Sequence, residues 1–178
     1  MASQQVILLI INVIGGAAVI GSYVHGLVTH PGTGFALWGG TLESIRPVYG
    51  ISMILAALGY FAFIYFILFR LVPADTHIAG RFGFRLFYPI FLGILVPSVL
   101  WMPFTYAYIG NPTAGMWTGI RLVLILVGLS SGALVWALLN LQAKEPIVPY
   151  WLAVAGSAYF TFHTAVLDML LWPILFQM

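Results

Sequence analysis

Apolar residues fall along this chain in long unbroken stretches, not in alternation with polar ones. Five such stretches stand out, over about 6–28, 47–72, 84–109, 113–142 and 146–176. Each holds roughly 20 or more residues, enough to cross about 30 Å of hydrocarbon as a helix. Continuous apolar runs point to helices; a membrane-spanning barrel would need strict alternation. The breaks between them carry helix-ending chemistry. His30-Pro31-Gly32-Thr33-Gly34 closes the first, and Pro47 suits the first turn of the second. Asn111-Pro112-Thr113 offers a turn and an N-cap, and Lys144-Glu145-Pro146 separates the last two. The longest connection, about 29–46, contains Phe35, Trp38, Leu42 and Ile45 beside Glu43 and Arg46, too apolar for a free solvent loop. It is expected to fold back over the bundle as a lid or to lie in the membrane interface. The predicted architecture is all-α: residues 1–178 as one integral membrane bundle of five transmembrane helices.

Composition strengthens this reading. Apolar residues make up 62% and charged residues 6%, with a mean hydropathy of +1.08. A soluble domain carries about 25% charge, so lipid must cover most of this surface. Six Lys/Arg and four Asp/Glu form no basic tract, and nucleic acid binding has no support. With no cysteine there is no disulfide, thiolate chemistry or cysteine metal site. Met1-Ala2-Ser3-Gln4-Gln5 lacks the basic start of a secretory signal, so the first run is expected to be retained. Arg70, Arg81, Arg85 and Lys144 lie on one side, against Arg46 and Arg121 on the other. That balance favours the N-terminus inside and the C-terminus outside.

Depth is the more informative property. With alternating helix directions, the side bearing the 1–2 loop collects Tyr23, His25, Glu43, Arg46, Tyr49, Trp101, Thr105, Tyr106, Arg121 and Asp168, with His163 somewhat deeper. The other half has chiefly Asn12. Arg121 and Asp168 are costly inside a membrane unless paired or hydrated. At similar depth they would form a salt bridge between helices 4 and 5, line a polar ligand cavity, or both. Thr161, Thr164 and Asp168 share a helical face, and Tyr159 and His163 form a neighbouring stripe. His25 and His163 would be able to ligate a haem iron from two helices, or serve as hydrogen-bonded core or interface histidines. Ala17-xxx-Gly21 and Ala18-xxx-Ser22-xxx-Gly26 suit close packing within the bundle or a homodimer. Pro89, Pro97 and Pro103 free backbone carbonyls in helix 3, which need other partners. No metalloprotease, paired-carboxylate or nucleophile motif is present, so metal-dependent hydrolysis and covalent catalysis have no support.

The five-helix layout with one long 1–2 loop resembles the TspO family of tryptophan-rich sensory proteins. Leu100-Trp101-Met102-Pro103-Phe104 is similar to that family's Leu-Trp-x-Pro-x-Phe stretch. Val148-Pro149-Tyr150, followed by Trp151 and Tyr159, resembles its Pro-Tyr segment. The family's Trp/Pro-rich loop is represented only by Arg46-Pro47-Val48-Tyr49. The resemblance implies a cavity among the helices, closed by the 1–2 loop, that accepts haem, another tetrapyrrole or a sterol. Trp101 is the one binding position that carries over by motif.

The leading expectation is therefore a TspO-like protein binding a flat hydrophobic ligand. Trp38 and Trp101 would pack on it, His25, His163 and Asp168 would supply polar contacts, and Arg121 would suit a propionate. Two alternatives remain. One is a small accessory subunit of a larger photosynthetic or respiratory membrane complex. The other is a transporter or enzyme for a lipid-soluble substrate.

Overall fold

The structure is a computed structural model and describes residues 1–176. It contains α1 (Ser3–Thr29), α2 (Arg46–Phe69), α3 (Phe87–Gly110), α4 (Ala114–Leu139) and α5 (Ile147–Thr161). Helix α5 runs on through a π-helical segment (Phe162–Leu171) into the short α6 (Trp172–Leu175). Five helices are long and apolar enough to cross a bilayer, the fifth being the composite Ile147–Leu175.

Element ends differ from the sequence expectation for local reasons. Helix α2 stops at Phe69, short of 72, because Val72 precedes Pro73 and is held extended at ψ 113°. Helix α4 stops at Leu139, short of 142, because the next residues are drawn into cross-links with the 2–3 loop. Ala79 N donates to Asn140 O at 2.9 Å, and Gln142 N donates to His77 O at 3.0 Å.

Hydrogen bonds between helices establish an up-and-down bundle. The start of α1 meets the end of α2, where Gln5 Nε2 donates to Leu68 O at 2.7 Å. The start of α2 meets the end of the fifth span, where Tyr49 Oη donates to Leu167 O at 3.0 Å. The start of α3 lies beside the start of α1, with Tyr88 Oη donating to Gln4 O at 3.0 Å. Going round the ring, the packed neighbours are α1, α3, α4, α5 and α2, and the weakest seam is between α1 and α2.

Small residues permit the tight seams. Helices α2 and α5 cross at paired glycines: a Cβ on Gly156 would lie 2.7 Å from Gly59 O, and one on Gly59 would strike Gly156 in the same way. Helix α1 approaches α3 at Gly15, against Leu95, and at Gly26, against Met102 and Tyr106. Ala17, Ala18 and Gly21 point outward instead, so the small residues of helix 1 divide between two faces. One proline of α3 has its freed carbonyl satisfied from a neighbouring helix. Pro103 has no N–H for Val99 O, and Ser22 Oγ of α1 donates to that carbonyl at 2.7 Å.

The core is lopsided. The half nearest the 2–3 and 4–5 loops is solid, filled by Phe63, Phe66, Phe84, Phe87, Phe91, Leu134 and Tyr150. In the half nearest the 1–2 loop, packed aromatics occupy only the α3–α4–α6 corner, around Trp172, Phe176, Trp117 and Trp101. The remainder of that half is open.

Candidate functional site

The open region is a cavity of about 630 Å³ between α1 and α2, backed by α3, α4 and the fifth span. Its geometry follows from how α1 and α2 meet. They are joined through Gln5 at one end, and Tyr60 Oη donates to Asn12 Oδ1 farther along. Beyond that bond they face each other across the cavity. Gly16, Val19, Tyr23 and Leu27 line one wall, and Tyr49, Met53, Ala56 and Ala57 line the other. The mouth lies in this seam, where the lining residues Ile20 (67% exposed) and Phe61 (68%) also reach the outer surface.

The 1–2 loop roofs the cavity. Its 3-10 turn Gly34–Trp38 contributes Leu37 and Trp38. The lid is pinned on the inner side, where Trp172 Nε1 donates to Leu37 O at 3.0 Å. Gly39, at φ +50°, presses against Phe176, whose Cα would sit 2.9 Å from any added Cβ. Arg46 Nε donates back to Thr41 O at 3.2 Å, holding the loop's return into α2. Trp38 meets Tyr49 edge-on at 5.8 Å.

One polar cluster breaks the apolar wall. Tyr159 Oη donates to Ser52 Oγ at 3.2 Å, and Ser52 Oγ lies 2.9 Å from His163 Nδ1. His163 Nε2 lies 3.5 Å from Asp168 Oδ2. A consistent proton arrangement runs from the phenol to the serine, from the serine hydroxyl to Nδ1, and from Nε2–H towards the carboxylate. Ser52 is buried behind the wall, whereas His163 and Asp168 face the cavity. The chain therefore orients a carboxyl group and does not present a serine nucleophile.

The π segment makes this pairing. In an α-helix, residues five apart diverge by about 140°. In π geometry the i→i+5 bond stacks them, which brings His163 over Asp168. Pro173 lies just beyond, without an N–H for the Met169 carbonyl, and wider turns relieve its ring's crowding there. Tyr49 anchors the segment through Leu167 O.

Four of the six residues singled out in the sequence come together: Trp38, Trp101, His163 and Asp168 all line the cavity. His25 and Arg121 do not. Gly26 turns inward against Met102 and Tyr106, so the adjacent His25, rotated about 100°, comes out exposed. Ile120 and Leu124 likewise turn inward to the Trp172 cluster and leave Arg121 on the outer face. The expected Arg121–Asp168 bridge is therefore absent, and the acid's partner is His163. The two-histidine haem site does not form either. His25 faces outward, and His163 has Nδ1 bonded to Ser52 and Nε2 turned to Asp168. With Arg121 outside, no cation awaits a propionate, so the residues present do not fit haem. No group of three or more His, Asp or Glu suited to a metal occurs among the described residues.

Of the Thr161-Thr164-Asp168 face, Thr164 and Asp168 line the cavity, and Thr164 Oγ1 lies 2.8 Å from Ser131 Oγ. The Thr161 hydroxyl is buried and unpartnered. Ser52 and Trp172 were not foreseen. A lone serine in the apolar run of α2 and a Trp-Pro pair near the chain's end were the available signals. No protein-family profile, curated protein or solved structure matches this chain.

Proposed function

We propose that this chain is an integral membrane protein that binds a flat hydrophobic small molecule, entering from the lipid between α1 and α2. The carrying observation is the apolar cavity of about 630 Å³, half-open along one helix seam and roofed by a pinned lid. Ligand pockets of about 300–1,000 Å³ with apolar walls and few polar groups are the usual form of small-molecule sites. A mouth lined by Ile20, Met53 and Phe61 suits a solute already dissolved in lipid. The TspO resemblance supports the same reading. Between its two implied ligand types, the absence of lysine and arginine from the wall favours a sterol-like shape over a propionate-bearing tetrapyrrole.

Filling the cavity tests the reading. A Cβ on Gly16 meets nothing within 4 Å, so Gly16→Phe adds bulk to the void without displacing packed atoms. Binding of a fluorescent sterol analogue to the purified protein should fall at least about tenfold, with thermal stability unchanged. Equal binding by wild type and Gly16→Phe would sink the assignment.

The accessory-subunit reading draws on one observation: α1 is the least buried of the long helices, with only 6% of its most apolar window fully buried, and Ala17, Ala18 and Gly21 lie on its outer face. Co-purification in a large native particle would favour it, and a stable small particle would count against it.

A further inference from the structure

Among the described residues, Asp168 is the only acid on the cavity wall, and no lysine or arginine lines it. Its sole polar partner among the described residues is the His163 ring at 3.5 Å, too long for a strong hydrogen bond. About a third of its side chain (32%) remains open, onto the cavity. A carboxylate in so apolar a place is costly unless a countercharge arrives.

The walls around it are aromatic. Tyr23 and Trp101 stack at 5.7 Å, Trp101 meets Trp172 edge-on at 5.6 Å, and Trp38 meets Tyr49 edge-on at 5.8 Å. Tyr23 and Tyr49 line the same cavity as Asp168. Tyr49 spends its hydroxyl hydrogen on Leu167 O and Trp172 spends its indole N–H on Leu37 O, so neither donates to the acid. Ring faces attract cations by their quadrupole, and several rings gathered round one carboxylate are the chemistry that recognises an organic ammonium.

We infer that the ligand carries a positively charged amine, seated against Asp168 among Tyr23, Trp38, Tyr49, Trp101 and Trp172, with its apolar body extending along the α1–α2 seam. This rests on the reading of the cavity as a ligand site and specifies the ligand's chemical class. Acids, including propionate-bearing tetrapyrroles, are disfavoured by the same carboxylate. The ammonium has two sources, a membrane-soluble amine or the headgroup of a choline lipid.

The test uses a matched pair of amphiphiles that share one hydrophobic body and differ only in the head: trimethylammonium in one, its uncharged tert-butyl isostere in the other. Binding of each is measured to the full chain in uncharged maltoside micelles. The ammonium should bind about tenfold or more tightly than the isostere. Asp168→Asn should erase that preference while leaving the isostere's affinity within about twofold. Trp38→Leu, on the lid and outside the packed core, should shrink the preference independently, which keeps the inference testable if the Asp168 variant misfolds. Displacement of the ammonium by added phosphatidylcholine would identify the headgroup as its source, and no displacement would identify a free amine; both keep the ammonium. Equal affinities for the pair, or a preference that survives Asp168→Asn, overturn the inference and leave the cavity reading intact. Binding of neither amphiphile overturns both.

Discussion

Ser22 shows how a single residue repairs another's defect. Pro103 cannot donate to Val99 O, and a bare carbonyl is expensive where water is scarce. The serine of the adjacent helix supplies the missing hydrogen at 2.7 Å. Ser22→Ala is expected to cost roughly 0.5–2 kcal/mol, read as a lower midpoint in a denaturing-detergent titration. Ser98, whose hydroxyl returns to Ile94 O of its own helix at 2.7 Å, is the comparison; an equal loss in Ser98→Ala would show that the Ser22 bond carries nothing special. Asp168 belongs to the same scale. Its depth and cost were visible in the sequence, but its partner was not. Which neighbour it finds depends on a rotation of about 100° that separates Arg121 from the inward-facing Ile120.

Between elements, the decisive feature is where helices touch and where they do not. The reciprocal approach of Gly59 and Gly156 locks α2 to α5, and behind that seam Ser52 can reach His163. Gly156→Leu should therefore both destabilise the fold, by about 1–3 kcal/mol, and weaken ligand binding by pushing Ser52 away from the imidazole. Thermal unfolding of the purified variant checks the first part. A stability equal to wild type would show that α2 and α5 are free to separate. The π segment acts at this scale too. A helix called from apolar spacing is assumed to keep 3.6 residues per turn, and on that assumption His163 and Asp168 point apart. The wider turns place them together.

At the scale of the whole molecule, one half of the bundle is solid and the other is hollow, and the hollow half lies under the 1–2 loop. The excess of Arg and Lys at the opposite end sets the expected orientation, with the N-terminus inside. The absence of cysteine makes this directly measurable. Single variants Ser3→Cys and Thr33→Cys should label oppositely with a membrane-impermeant maleimide on intact cells. Labelling at Thr33→Cys alone places the lid outside, and labelling at Ser3→Cys alone reverses the orientation.

What the sequence by itself determined is the set of properties that depend on composition and local order. These include five helices long and apolar enough to span a membrane, their breaks at Pro and Gly, the apolar character of the 1–2 loop, and the gathering of polar residues towards one end. Each follows from the cost of placing backbone and charge in hydrocarbon, which acts on every residue wherever its neighbours lie. Only the tertiary structure decided which way each helix is rotated, that α1 and α2 part beyond the Asn12–Tyr60 bond, and that Ser52, His163 and Asp168 form one chain while His25 and Arg121 turn outward. The reason is geometric. In a span apolar on nearly all sides, hydrophobicity no longer marks an inner face. Rotation is then set by glycine contacts, proline-freed carbonyls and changes of helical pitch, which act between segments far apart in the chain.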